Sequence, residues 1–162
     1  MTLILFQKTM KKIIFLFFAC FAVFFCSCES DNGSYIDLGL PSGTLWKSAN
    51  ENGFFSFDEA RKSFHKHLPT KEQYEELVNQ CRWRWDGQRH VVTGPNGATI
   101  FLPASGYYNE DGEHFNNVNH NLGCYWTATP KEADNAYCLE INSRQSILLR
   151  KRYYKYTVRL IK

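Results

Sequence analysis

One stretch decides the fold: residues 94–108, with the sequence GPNGATIFLPASGYY. It begins with the turn Gly94-Pro95-Asn96-Gly97, in which proline presets the backbone angle of the second position and asparagine and glycine accept the angles that follow. The flanking segments 90–93 and 99–102 are rich in β-branched and aromatic residues, so the pattern predicts a β-hairpin. Pro103 has no amide proton for a ladder and should end the second strand.

Two capping boxes upstream of this hairpin predict two helices. These boxes are residues 56–59 (SFDE) and 70–73 (TKEQ). In each, the side chain of the first residue can accept a hydrogen bond from the backbone amide of the fourth, and the side chain of the fourth can accept one from the backbone amide of the first. The first helix should end near Phe64, and the second should run from about Lys71 to Cys81. The second helix carries an apolar stripe at spacings of three and four, formed by Tyr74, Leu77, Val78 and Cys81.

Strand-like segments stand on both sides of the helices. Before them come 35–40 and 44–46; after them come 82–85, the hairpin, 123–129, 136–141, 146–149 and 156–161. Because the helices are grouped together rather than alternating with strands, this order predicts an α+β fold.

The first 27 residues have the features of a secretory signal peptide. A short basic head at Met10-Lys11-Lys12 precedes an apolar run that ends near Phe25, and the run is shorter than the roughly 20 residues of a membrane span. We expect Met10 to be the true start. The sequence Phe25-Cys26-Ser27-Cys28 resembles a bacterial lipobox, which implies cleavage before Cys28 and acylation of that cysteine. Residues 28–34 would then form a tether and residues 35–162 the domain.

Charge excludes one large class of function. The chain has 19 basic and 16 acidic side chains, but three of the lysines lie in the segment 1–27, which contains no acid. The mature part is therefore close to neutral, and a general nucleic-acid binder would need a basic excess.

Three cysteines remain in the domain: Cys81, Cys124 and Cys138. None of their spacings is typical of a metal site. The sequence leaves two interpretations, which are buried apolar thiols or one disulfide between two of them.

Four stretches resemble one known family. They are YIDLGLPSGTLW at 35–46, LPTKEQYEEL at 68–77, CRWRW with GPNGATIFLPASG at 81–106, and GCYWTAT at 123–129 followed by a terminal YTVRLI. Their order and wording resemble the Fibrobacter succinogenes major paralogous domain, which is akin to the Lcl C-terminal domain and more distantly to formylglycine-generating enzymes.

The resemblance implies a C-type-lectin-like fold, with two helices on small antiparallel sheets. It also implies that the first and last strands pair, which places 35–40 beside 156–161. The chain departs from the family at 47–68, a segment that is shorter than in relatives and lacks their Trp-Gly-Glu-like motif. Within this arrangement we expect Arg159 to pair with Asp37.

Several kinds of site are disfavoured. Cys124 and Cys138 are the only late cysteines, and their context does not match the copper-binding pair of formylglycine-generating enzymes. Gly94-Pro95-Asn96 lacks the carboxylate of a lectin calcium motif, although the oxygen-rich loop 109–121 has groups that suit an ion. His65 and His67 are two ligands where zinc needs three or four. We therefore predict no catalytic residue, no metal site and no cofactor.

Aromatic stacking is the best functional candidate. Large aromatics also fill cores, and we expect Trp83 and Trp126 to be buried. Tyr107 and Tyr108 lie beside a polar loop. The predicted ligand-binding residues are Tyr107, Tyr108, Trp85, Asn109, Asp111 and Asn116. The basic cluster 150–152 with Lys155 is expected to be a solvated hairpin tip.

The sequence thus predicts a lipid-anchored protein of a bacterial cell envelope, in the outer membrane or at the cell surface. Its predicted work is non-catalytic binding of a glycan or a surface protein through the loops 107–121 and 47–56. A structural part of a surface complex is the alternative from another class, and a degenerate relative of formylglycine-generating enzymes is the third.

Overall fold

A computed structural model describes residues 33–117 and 119–162. The predicted signal peptide, the predicted lipidation site Cys28 and the first part of the tether lie outside these residues. The strands are β1 (Tyr35–Asp37), β2 (Leu45–Lys47), β3 (Arg82–Trp85), β4 (Arg89–Thr93), β5 (Thr99–Pro103), β6 (Tyr107–Tyr108), β7 (His114–Phe115), β8 (Gly123–Lys131), β9 (Asn135–Ile141) and β10 (Gln145–Lys151). The helices are α1 (Phe57–Phe64) and α2 (Lys71–Gln80), with a 3₁₀ turn at His65–His67 between them.

Both predicted helices are confirmed, and both begin at their predicted caps. The Ser56 side chain accepts from the Glu59 amide while the Glu59 carboxylate accepts from the Ser56 amide, and Thr70 and Gln73 form the same pair of bonds at α2. These bonds satisfy backbone donors that a helix start otherwise leaves free. Because Pro69 prevents α1 from continuing, the two helices stay separate.

The strands form small antiparallel sheets in the orders β1-β2, β3-β4-β5, β6-β7 and β10-β9-β8. The hairpin predicted from residues 94–108 is β4-β5, with Thr93 opposite Thr99. Strand β8 runs further than predicted, through Pro130 to Lys131, and its register shifts between Trp126 and Pro130. It is an edge strand of its sheet, where a proline is tolerated. Helix α2 contacts all three strands of β10-β9-β8, and α1 contacts β8. The α+β prediction is therefore confirmed.

The last eight residues tie the sheets together, but the predicted partner strand was wrong. Residues 155–162 bridge β6 at Tyr108, β8 at Tyr125 and β2 at Trp46, not β1. The turn at 41–43 folds β1 back onto β2, with the Gly43 amide donating to the Leu40 carbonyl. Strand β2 therefore lies between β1 and the C-terminal segment.

The predicted pair between Arg159 and Asp37 is also wrong, for the same reason. Arg159 is fully buried, and its guanidinium donates to the Asn50 side chain (2.8 Å) and to the carbonyls of Lys47 (2.6 Å) and Phe101. Asp37 instead accepts from the Gly39 amide. The C-terminal segment runs beside residues 47–51, so Arg159 lies within reach of that loop and of β5.

The core has two clusters. One is centred on Trp46 and Tyr74, and Trp83 packs against it while remaining partly exposed. The other contains the stacked rings of Trp126 and Tyr156, with centroids 4.4 Å apart. Trp126 is fully buried as predicted, and its indole donates to the Phe55 carbonyl. Within residues 33–117 and 119–162, no helix has the length and apolar character needed to cross a bilayer.

Candidate functional site

A surface cleft of about 420 Å³ opens where three segments meet. The segments are the loop before α1, the turn between β6 and β7, and the chain that follows β10. We call it the aromatic cleft, and its lining residues are Phe54, Tyr108, Asn109, Glu110, Gly112, Tyr153 and Lys155.

Backbone pairing on two sides holds Tyr108 in place. It pairs with His114 across the β6-β7 hairpin, and it exchanges backbone hydrogen bonds of 3.0 and 2.9 Å with Lys155. The Tyr108 ring meets Phe54 edge-on at 4.8 Å between centroids and lies 4.7 Å from the His114 ring. The aromatic wall of the cleft is therefore fixed before any ligand arrives.

Asn109 organises the turn beside this wall. Its side chain accepts from the Glu113 amide (2.8 Å) and donates to the Glu113 carboxylate (3.0 Å). Gly112 adopts a left-handed backbone angle of 79°, which closes the turn. The amide group of Asn109 is thus used within the turn, whereas Glu110 and Asp111 extend into solvent.

Tyr153 forms the opposite wall. It is 44% exposed and meets Tyr154 edge-on at 5.1 Å. Partial desolvation raises the pKa of the Tyr153 phenol, and the negative charges of Glu110 and Asp111 add to the effect. The phenol therefore stays protonated and can donate a hydrogen bond at neutral pH.

A second cleft, of about 510 Å³, adjoins the first. We call it the charged cleft, and its lining residues are Ser56, Asp58, Glu59, Ala133, Asp134, Lys151, Arg152, Tyr153 and Lys155. Arg152 forms an ion pair with Asp58, donates to the Ala133 carbonyl (2.8 Å) and lies over the Phe57 ring at 4.9 Å. These contacts fasten the chain after β10 to α1 and to the β8-β9 turn.

The structure brings together some of the predicted ligand residues and separates others. Tyr108 and Asn109 line the aromatic cleft, and Asp111 lies in the same turn. Tyr107 takes the opposite face of β6, as alternation in a strand requires, and stacks on Phe115 at 5.4 Å. Trp85 packs against His90 at 4.9 Å between ring centroids.

Asn116, the remaining predicted residue, belongs to the loop that follows β7. Its amide donates to the Ala104 carbonyl at 3.4 Å, while its side-chain oxygen is buried without a partner within the described part of the chain. Neither cleft is lined by it.

Five residues that line the aromatic cleft were not among the predicted ligand-binding residues: Phe54, Glu110, Gly112, Tyr153 and Lys155. The first three lie within the predicted ligand-binding loops 47–56 and 107–121, whereas Tyr153 follows the basic cluster 150–152 and Lys155 belongs to the predicted solvated hairpin tip. The alternation of Tyr153, Tyr154, Lys155 and Tyr156 was the available signal, since it places every second ring outward. The loops that contain Phe54 and Tyr108 were predicted to meet the same ligand, but no pattern in the sequence predicts the direct contact between these two rings.

The three cysteines in the described part of the chain are free, and two of them are inaccessible. Cys124 and Cys138 are fully buried, and burial raises the pKa of both thiols. Burial also raises the pKa of Cys81 to about 11. A nucleophilic or metal-binding cysteine needs the thiolate, which these surroundings disfavour.

The remaining candidate ligands are scattered. His67 bonds through its Nδ1 to the Ile161 carbonyl (3.2 Å). Across residues 33–117 and 119–162, no group of three or more histidine, cysteine, aspartate and glutamate side chains could hold a metal ion.

Comparison with known proteins gives one match. Residues 73–161 match the family model described as "Domain of unknown function (DUF8237)". No curated protein and no solved structure matches the chain. The matched residues include most of both clefts and omit Phe54 and the whole of α1. Because the match covers more than half of the 162 residues, the chain belongs to the DUF8237 family.

Proposed function

We propose that this protein is a non-catalytic glycan-binding module and that the aromatic cleft is its binding site. One observation carries the proposal: three aromatic rings, from Phe54, Tyr108 and Tyr153, surround a surface cleft that also presents a carboxylate and an ammonium group. Sugar rings have apolar faces, which pack on aromatic side chains, and hydroxyl edges, which need hydrogen-bond partners. A mostly apolar cleft with a few polar groups meets both needs.

The polar partners fall into donors and acceptors. Glu110 accepts hydrogen bonds from hydroxyls, while Lys155 and the phenol of Tyr153 donate to them. Each of these groups is on the rim rather than in the core, so binding requires little rearrangement. A surface protein is the second candidate, because tyrosine is also enriched at protein interfaces.

We propose a non-catalytic function because the candidate thiols are buried. Cys124 and Cys138 lie inside the second core cluster, where burial keeps them protonated. A cysteine-dependent activity would need one of them at the surface of a cleft. Both clefts are instead lined by side chains that suit hydrogen bonding and stacking.

For the fold, we propose a C-type-lectin-like arrangement. Support comes from the C-terminal segment, which returns to the N-terminal hairpin where Ile161 bridges Trp46. The two consecutive helices between the first hairpin and the later sheets agree with the same arrangement.

For the location, we propose a lipid anchor at Cys28 in a bacterial envelope. The Ser34 carbonyl already accepts from the Ser48 amide (2.8 Å), so the chain joins the fold immediately after residue 34. A tether of residues 28–34 would hold the domain within roughly 25 Å of the bilayer, given about 3.5 Å per extended residue. Metabolic labelling with a fatty acid should mark the wild type and leave Cys28→Ser unlabelled.

A glycan array probed with the full-length chain in mild detergent tests the binding function. We expect saturable binding to at least one glycan, and loss of that signal in Phe54→Ala and Tyr108→Ala. Phe101→Ala is the matched control, because Phe101 is 37% exposed but lies on β5 outside both clefts. An array without hits, together with recovery of one stable protein partner, would favour the second candidate instead.

A further inference from the structure

We propose that the two clefts form one continuous groove, and that this groove takes an extended, neutral oligosaccharide rather than a single sugar. The inference rests on the proposed glycan-binding function and adds the length and charge of the ligand. It places one part of the glycan chain in the aromatic cleft, another in the charged cleft, and Tyr153 between them.

Continuity follows from two shared residues. Tyr153 and Lys155 line both clefts. Tyr153 is exposed, whereas its neighbour Tyr154 turns inward, with its ring centroid 5.4 Å from that of Tyr107. The Tyr153 ring therefore stands at the boundary, where one face of a sugar can lie against it while the chain continues in both directions.

The dimensions favour several sugar units. A cleft of about 420 Å³ lies beside one of about 510 Å³, and each is within the range that holds a drug-sized molecule. A single sugar ring would therefore occupy only part of either cleft. A chain that crosses Tyr153 would contact both.

Some polar side chains of the charged cleft are not used in its internal contacts and can bind a ligand. Arg152 and Asp58 neutralise each other, and the Glu59 carboxylate is held by the Ser56 amide (2.8 Å). The side chains of Asp134 and Lys151 make no hydrogen bond or ion pair with the described residues. One acceptor and one donor thus remain at the far end of the groove.

The balance of charges favours a neutral ligand. With Lys155 counted once, the joined groove is lined by four acidic and three basic side chains, namely Asp58, Glu59, Glu110 and Asp134 against Lys151, Arg152 and Lys155. A glycan rich in carboxylates would therefore gain no net electrostatic attraction, while hydroxyls can use both signs as hydrogen-bond partners.

Isothermal titration of the full-length chain in mild detergent tests the inference. The probes are cello-, xylo-, manno- and malto-oligosaccharides, each from the monosaccharide to the hexasaccharide, with an oligogalacturonate series as the anionic counterpart. We expect one neutral series to bind about tenfold or more tighter as its length increases, because the second contact forms at the effective concentration set by the first. The anionic series should bind no tighter than the neutral one.

Variants locate the length dependence. Asp134→Ala and Lys151→Ala should remove the gain at long lengths and leave short oligosaccharides unaffected. Lys131→Ala is the matched control, since this lysine is exposed on β8 and lines neither cleft. Tyr153→Ala should weaken the affinity for oligosaccharides of every length about tenfold, as loss of a stacking ring does for stacked bases.

The possible outcomes distinguish failure of the extended-groove inference from failure of the proposed glycan-binding function. Equal affinity at all lengths, with no effect of Asp134→Ala or Lys151→Ala, would overturn the extended groove and leave glycan binding intact. Tighter binding of oligogalacturonates than of every neutral series would overturn the neutral ligand. If no series binds, the inference fails, and an array without hits would remove the proposed function as well.

Discussion

The interior around Arg159 and the groove around Tyr153 use polar side chains in opposite ways. Arg159 is fully buried, and its donors are directed at three fixed acceptors from β2, the following loop and β5. Tyr153, six residues earlier, is 44% exposed, and no hydrogen bond joins its phenol to the described residues. The polar groups around Arg159 thus hold distant elements together, whereas the phenol of Tyr153 remains available for a ligand.

This difference explains how a small domain can remain stable while it carries an open aromatic groove. Burial lowers the pKa of Arg159, yet a guanidinium remains charged at any physiological pH. Carbonyl and amide oxygens surround that charge and link the C-terminal segment to segments far away in sequence. With the fold held from inside, the exposed Tyr153 ring need not contribute to its stability.

Among changes to polar contacts, the largest effect should come from breaking the interior network. Arg159→Met keeps the side-chain bulk but removes the donor of three part-buried hydrogen bonds to a charged group, at about 1.5–3 kcal/mol each. We expect the free energy of unfolding to fall by about 3 kcal/mol or more. Urea denaturation measures it, with the exposed Arg144→Met as the matched control. Equal midpoints for the two variants would contradict the structural role of Arg159.

A smaller loss should follow from Gly94→Ala, which tests how the central hairpin docks onto the N-terminal segment. An added Cβ would overlap the Leu38 carbonyl oxygen and lie 2.7 Å from the Leu38 Cβ. Because backbone atoms must shift, we expect a loss of about 2–3 kcal/mol, as for an overpacked core.

Gly123→Ala is the comparison for this prediction, since neither glycine has a left-handed backbone angle. Its added Cβ would meet the Tyr125 ring at 3.1 Å and the Pro103 carbonyl at 3.2 Å, contacts that small movements relieve. Denaturation midpoints should therefore place Gly123→Ala between the wild type and Gly94→Ala. The reverse order would show that the hairpin docks less tightly than these contacts indicate.

The same comparison shows where sequence reasoning succeeds. Both helices and the β4-β5 hairpin were predictable, because their signals are local: a cap and its partner lie three residues apart, and a turn defines the strands beside it. The alternation of Tyr107 and Tyr108 likewise assigns them to opposite faces. These features need no knowledge of which distant segments meet.

Sequence reasoning fails where the answer depends on distant contacts. Arg159 was expected to pair with Asp37 because the terminal strands were placed side by side, and the insertion of β2 between them changed its neighbours to Asn50 and Phe101. The groove combines residues near 54, 108, 134 and 153, which no periodicity connects. The loops 47–56 and 107–121 were predicted as ligand contacts, but the walls that residues near 134 and 153 form could be found only in three dimensions.

The buried His90 should make the stability of the fold depend on pH. His90 is 2% exposed, and burial lowers its pKa, although the Asn121 carbonyl and Asp86 partly offset this. The folded state therefore favours the neutral ring. The stabilisation that comes from keeping His90 neutral is complete above the unfolded pKa of about 6.5. It is lost progressively as the pH falls from there toward the lowered pKa of His90 in the folded state.

Replacing this histidine should remove that part of the pH profile. His90→Gln keeps a donor for the Asn121 carbonyl but does not titrate. We expect urea denaturation between about pH 7 and pH 5 to show a steeper loss of stability in the wild type than in the variant. Parallel curves would mean that protonation of His90 costs the fold nothing.

The smallest effect on stability should come from the groove itself. Tyr153→Ala removes an exposed ring with no hydrogen bond to the described residues, so we expect a change within about 0.5 kcal/mol. Tyr156→Ala, three residues later, removes a fully buried ring stacked on Trp126 and should cost about 3–5 kcal/mol. The two tyrosines share a segment and differ mainly in the direction of their side chains. If Tyr153→Ala cost as much as Tyr156→Ala, Tyr153 would be a structural residue, and the ring between the two clefts would not be free for a ligand.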